Sequence, residues 1–277
     1  MKNTPAPLIV RNSVTALTDD DANCVFIGAS HFGLLSAHLL ARHQVRGAIL
    51  HDAGIGLDDA GIAGLQVLQI LRVPAAAVDF RSARIGDADE VLMAGCISHA
   101  NEEAQALGIR IGFSCWEAAQ LMRTASERLI LPVHGEAEAR HLLPPAHTHG
   151  VPVWALDSAS LIDRQDCGQI VITGSHGGLL GRDPATAARV DVFAAVFNDA
   201  GGGKDDAGYS RLPALDGRNI AAATVAAETA RIGSALSTWN DGRVSRVNAT
   251  AAAHGLREGM MARELTSILC SILAKRS

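Results

Sequence analysis

The chain has 277 residues and a mass of 28.9 kDa, with 48% hydrophobic residues, 19% charged residues and a mean hydropathy of +0.16. That apolar content is enough to offset chain entropy, which excludes a disordered or fibrous protein. A net charge of −5, a pI near 6.1 and only 4% aromatic residues argue against nucleic acid as the main partner.

No apolar stretch reaches the roughly 18 residues of a spanning helix, and the opening MKNTPAPLIVRNS lacks the apolar core of a signal peptide. Five cysteines with no CxxC fit a reducing compartment, and a buried apolar role is the ordinary one for them. The expectation is a soluble cytoplasmic protein that meets a small molecule and neither nucleic acid nor membrane. Homo-oligomerisation is expected only on general grounds.

In chain order, Cys24–Gly28 (CVFIG) predicts a buried strand, with Ser30-His31 on an exposed turn after it. Leu34–His43 predicts a helix, Gly47–Leu50 a second strand, and an Asp/Gly-rich loop leads to a helix around Ala60–Leu71. Ala75–Phe80 predicts a third strand, followed by Arg84-Ile85-Gly86. Beyond it, Leu129–Val133 predicts a strand and Glu136–Leu143 a short helix, ahead of Pro144-Pro145. His147 and His149 have a spacing that could serve a metal, but nothing local supplies a third ligand. The pattern then returns: Ile170–Gly174 (IVITG) as a strand, Ser175-His176, a helix over Ala185–Val190, and strands at Val192–Phe197 and Ala221–Ala226. Trp239-Asn240-Asp241-Gly242 predicts a hairpin turn and Ala262–Leu273 a closing amphipathic helix.

That return is an internal repeat. His51–Glu117 aligns without a gap on Asn198–Glu264, a shift of 147, with 27 of 67 positions identical. Asp52-Ala53-Gly54 answers Asp199-Ala200-Gly201, Asp58 answers Asp205, and Arg84-Ile85-Gly86 answers Arg231-Ile232-Gly233. Ser98 and Asn101 answer Ser245 and Asn248, and at a shift of 145 Ser30-His31 falls on Ser175-His176. Strands separated by helices of this length predict parallel pairing and right-handed crossovers. The predicted fold is α/β: two tandem homologous Rossmann-like α/β repeats, 8–123 and 153–270, joined by a linker, 124–152, and related by a pseudo-twofold axis.

In open α/β sheets ligands gather beyond the carboxyl ends of the strands, where most of the shared polar residues fall. The candidate catalytic residues are therefore Ser175, His176, Asp199, Lys204, Asp205 and His31. Arg231, Arg84, Ser245, Asn248, Gly177 and Gly201 are the candidates for holding substrate, the arginines by two-point contact with a carboxylate. Lys204 stands out because the chain has three lysines against 21 arginines and the other two lie at its ends, while Leu57 occupies the matching position. Shared glycines and aspartates also suit tight turns and helix caps.

Gly174-Ser175-His176-Gly177 ahead of Asn198-Asp199-Ala200 is similar to the strand ends of caspase-like peptidases. Ala200 and Ala53 stand where that family has its cysteine, so its activity does not carry over. GxSxG, HExxH and Walker signatures are absent from the chain. Hydrolysis of an amide, imide or cyclic C–N bond in an anionic metabolite suits the Ser, His and Asp set best, with no cofactor. The alternatives are a lyase or isomerase using Lys204, a non-catalytic small-molecule-binding or scaffold protein, and a divalent metal held by His31, His51, Asp52 and His99. Convergence of Ser175, His176, Asp199 and Lys204 on one pocket would favour the enzyme.

Overall fold

The computed structural model describes residues 5–127, 130 and 138–275. It is α/β, with two mixed, mostly parallel sheets. The first half of the chain supplies β1 (Leu8–Arg11), β2 (Val25–His31), β3 (Gly47–His51), β4 (Ala75–Val78) and β5 (Ile97–Ala100), hydrogen-bonded in that order. β1 to β4 run parallel and β5 closes the edge antiparallel. The second half supplies β6 (Arg140–Leu142), β7 (Val153–Leu156), β8 (Ile170–His176), β9 (Ala194–Asn198), β10 (Ala221–Val225) and β11 (Val244–Val247), also in sequential order. Here β7 to β10 are parallel, while β6 and β11 are antiparallel edges.

The strands alternate their side chains as a two-sided sheet requires. Val25, Ile27 and Ile49 face one core, beneath helices α3 (Ala88–Ala94), α4 (Glu102–Ala106) and α5 (Cys115–Met122). Phe26, Ala48 and Leu50 face the other, beneath α1 (Leu34–Arg42) and α2 (Gly64–Ile70). In the second half Ile170, Ile172 and Val196 pack under α7 (Ala235–Asn240), α8 (Ala249–Ala253) and α9 (Ala262–Ala274). Val171, Ala195 and Phe197 pack against α6 (Arg211–Asp216) and the turns before it. Each half thus has three layers. Among the described residues no helix is long and apolar enough to cross a membrane.

Several expected elements take another form. Residues 140–142 are an edge strand and not part of a helix; Pro144 and Pro145 favour extended backbone just ahead of them, and β7 offers a free edge. Apart from Ile130, the strand expected at Leu129–Val133 lies outside the described residues. No hairpin turn forms at Trp239–Gly242: Ser234 caps α7, which runs through Asn240 and buries Trp239 in the core. Ala185–Val190 holds only a short 3-10 turn at Pro184–Ala187. The carbonyls of Thr186 and Ala187, which a helix would use internally, accept from the Arg211 guanidinium instead.

Two buried asparagines tie sheet to helix in the same way. Asn101 Oδ1 accepts from the N–H groups of Ala75 and Ala104, and its Nδ2 donates to Val73 O. Asn248 Oδ1 accepts from Ala222 and Ala251, and its Nδ2 donates to Ile220 O. Removing either side chain strands several buried partners and uncaps a helix. Asn101→Ala and Asn248→Ala should each lower unfolding free energy by about 2–4 kcal/mol in urea titrations. Losses below about 0.5 kcal/mol would contradict this reading of the caps.

Candidate functional site

Both central strands bulge just before their Ser-His. Ile27 pairs with Ile49 but His31 with His51, so four steps along β2 match two along β3. Ile172 pairs with Val196 and His176 with Asn198 in the same fashion. A bulge of this kind re-aims the end of a strand. Gly174 makes room for the second one, since a Cβ there would lie 2.6 Å from the backbone of Gly233 and Ser234.

The two re-aimed ends open into one cleft of about 350 Å³ between the halves, lined by Ser30 and His31 together with Ser175 and His176. Two short turns complete its walls: Ser13, Val14 and Thr15 on one side, and Ser158, Ala159 and Ser160 on the other. Each turn is pinned to a serine, with Val14 N–H donating to Ser30 Oγ at 3.0 Å and Ala159 N–H to Ser175 Oγ at 2.8 Å. Each histidine reaches across the cleft. His31 Nε2 lies against Gly233 of the second half, and the His176 ring lies against Gly86 of the first.

Ser-His therefore ends each strand and does not sit on an exposed turn, and His176 is 6% exposed. Burial drives the His31 imidazole down to about 4, with the nearby His51 adding to the effect. Burial, followed by the positive charge of Arg211, holds His176 well below its ordinary value. Both rings are neutral at pH 7. His176 Nδ1 accepts from Gly178 N–H at 3.2 Å, which assigns its proton to Nε2. The His31 ring has no hydrogen-bond partner within the described residues.

The other candidates are placed elsewhere. Asp199 Oδ1 accepts from Gly201 and Ala227 N–H, as Asp52 Oδ1 does from Gly54 and Phe80 N–H. Burial lifts the Asp199 carboxyl above its usual value. Ser245 bonds Thr224, and Asn248 is the helix cap already described. Gly177 bonds Asn198 O through its N–H and the Arg211 N–H through its carbonyl. Gly201 lies in backbone contact with Gly54. Arg84 pairs with Asp205 and with Glu90, and Arg231 pairs with Asp58 at 2.6 Å. Lys204 Nζ sits 2.6 Å from Glu90 Oε1. Burial would raise the Glu90 carboxyl, but Lys204 and Arg84 hold it below its usual range. Ser175, His176 and His31 thus share the cleft, whereas Asp199, Lys204 and Asp205 do not line it. Asp58 and Asp205 have left-handed backbones, φ 54° and 51°, and serve as ion-pair partners and not helix caps.

His51 is likewise committed. Its Nδ1 accepts from Ala53 N–H and its Nε2 donates to Ala83 O, both at 3.0 Å. Asn198 does the same work at the matching position, accepting from Ala200 N–H and donating to Ala230 O. His99 bonds Ser98, which in turn bonds Asp52. His147 packs edge-on against Trp239, and His149 meets Ser267 Oγ at 2.9 Å. Among the described residues no three His, Cys, Asp or Glu side chains are grouped as metal ligands would be.

Sequence reasoning missed the cleft's charged residues: Arg211, Arg189, Glu138 and Asp157. The Arg211 guanidinium, 4% exposed, donates from Nε to Gly178 O at 3.0 Å and from Nη1 to Thr186 and Ala187 O at 2.7 and 2.6 Å. Burial pulls it down to about 10. The one signal was its asymmetry, since Gly64 stands at the matching position.

The depressed histidines carry a stability signature. The unfolded chain takes up these protons near pH 6.5, whereas folded His31 takes its own only near 4. Stability is therefore fully present above pH 6.5 and falls towards pH 4, by about 1.4 kcal/mol per pH unit for each histidine. His31→Gln should flatten this slope in urea titrations between pH 7 and 5, and an unchanged slope would count against a buried neutral ring. His51→Asn should keep stability within about 1 kcal/mol, while His51→Leu should cost about 2–4 kcal/mol. Compared with known protein families, curated proteins and solved structures, the chain matches none.

Proposed function

We propose that this chain is a small-molecule enzyme that hydrolyses an amide, imide or cyclic C–N bond in the cleft between its halves. The observation that carries the reading is the meeting of two Ser-His strand ends in one cleft, with the His31 ring without a hydrogen-bond partner among the described residues. A neutral imidazole can take a proton from water as its oxygen attacks the carbonyl carbon. The same proton then goes to the nitrogen as the C–N bond breaks. His31 and His176 are the proposed pair for this transfer. Ser30 and Ser175 each retain a hydroxyl proton that can bond a substrate oxygen.

We further propose that the halves, 8–123 and 153–270, are duplicated units related by a pseudo-twofold axis passing near Gly54 and Gly201. Support comes from reciprocity: Arg84 meets Asp205 while Arg231 meets Asp58, and His31 lies on Gly233 while His176 lies on Gly86. The Lys204 ammonium, held by Glu90 and Ser82 O outside the cleft, serves better as an anchor than as a Schiff-base nucleophile.

A panel of small cyclic amides, imides and ureides, assayed for ring opening, tests the reaction. Once turnover is found, His31→Ala and His176→Ala should each lower kcat by about 100-fold, and Lys204→Met should leave it within about threefold. Full activity in both histidine variants would remove the acid–base assignment.

A further inference from the structure

We propose that Arg211 is a binding residue for a single anionic group of the cleft's ligand, a carboxylate or phosphate-type oxyanion, and that this subsite exists on the second-half wall alone. The inference rests on the cleft being the functional site and adds the charge class of what enters it.

A buried cation without a counter-ion is costly, and proteins ordinarily pair it. Arg211 is 96% buried, yet among the described residues no carboxylate lies within ion-pair distance of it. Its protein partners are three carbonyl oxygens and the face of Phe197, 5.1 Å away, which lessen the cost without cancelling the charge. Three of its five N–H groups are thereby fixed, which locks the guanidinium plane.

Both remaining N–H groups belong to Nη2, which donates to no described protein atom. Among the described residues, the buried side-chain atoms left without a partner are Arg11 Nε and Gln120 Nε2. Nη2 is not one of them, so it keeps access to the cleft that Arg211 lines. The guanidinium is thus held in place with two donors to spare and a positive charge to balance.

Two neighbours fit the same ligand. His176, on the same wall, carries its proton on Nε2 and can donate a further hydrogen bond to an oxyanion. Exposed Arg189 adds positive charge at the rim. At the position matching Arg211 the first half has Gly64, with no side chain to offer. A ligand gripped at Arg211 would therefore lie across the two Ser-His ends in one orientation. Glu138 and Asp157 also line the cleft and would repel a second anionic group.

The test is binding to the full-length protein of sodium acetate and of inorganic phosphate, against sodium chloride at equal ionic strength. Thermal unfolding and the His176 ring proton resonance are the readouts. At least one anion should raise Tm saturably and shift the His176 resonance while leaving that of His254 in place. Arg211→Gln should weaken this by at least tenfold, and Arg211→Lys by less. Saturation by acetate alone assigns a carboxylate ligand, and by phosphate alone a phosphate ester. The proposal is overturned if neither anion saturates beyond chloride, or if Arg211→Gln binds as well as the parent protein. Should Arg211→Gln fail to fold, the parent protein still decides, because an unmoved His176 resonance at saturating anion overturns the assignment. Anion binding without turnover would leave the subsite standing and remove the hydrolase. Turnover dependent on His31 but indifferent to either anion would do the reverse.

Discussion

Everything in the cleft depends on how closely the two halves approach, and that distance is set where two glycine backbones touch. A Cβ added at Gly54 would lie 3.0 Å from Gly201 Cα, and one added at Gly201 would lie 3.1 Å from Gly54 Cα. Both residues have positive φ, 71° and 74°, a conformation that side-chain-bearing residues rarely adopt. With the loops this close, Ala53, Ile85, Ala200, Ala207 and Ile232 form a small apolar core of their own. Lys204 N–H can then donate to Phe80 O, and Gly181 N–H to Gly86 O. The exposed ion pairs around this core, Arg231 with Asp58 for one, add little energy each. Their contribution is register, fixing which loop meets which so that β2 and β8 end at the same opening.

Much of the fold could be read from residue order. Short apolar runs such as CVFIG and IVITG mark strands because a buried parallel strand has no polar face to interrupt the run. Their ends were set too early: the bulge carries β2 and β8 on through Ser-His, and no local pattern announces a bulge. The Asp-Gly at 241–242 suggested a hairpin, yet Trp239 buried in the core carries α7 through Asn240. The site was legible in part. Ser-His marked the residues that line the cleft, although each serine also pins a turn of its wall.

The remaining candidates lie away from the cleft for one physical reason. A polar residue present at both matching positions is there because both halves need it, and what both need is folding and docking. Asp52 and Asp199 hold loops, Asn101 and Asn248 cap helices, and Arg84 and Arg231 bridge the halves. Differences are more informative, though only when the chemistry they change is used. His51 against Asn198 is a difference in letters alone, since ring and amide make the same two hydrogen bonds. Arg211 against Gly64 is a real one, because it places a charge where the first half packs a bare glycine against the carbonyls of Phe32 and Gly33. Its meaning emerges only once the chain brings the guanidinium to the cleft.

The reciprocal ion pairs carry a consequence for the chain when it is divided. Arg84 finds its acid at Asp205 and Asp58 finds its base at Arg231, so the first half alone carries one residue of each kind on its docking face. Gly54, which meets a glycine in the intact chain, would meet its own copy equally well. Under the proposed pseudo-twofold relation that face would be self-complementary, the property of an isologous dimer interface. A fragment ending near residue 127 would present a surface shaped and charged for a second copy of itself. In that case the covalent connection would serve as a tether that raises the effective concentration of one half around the other.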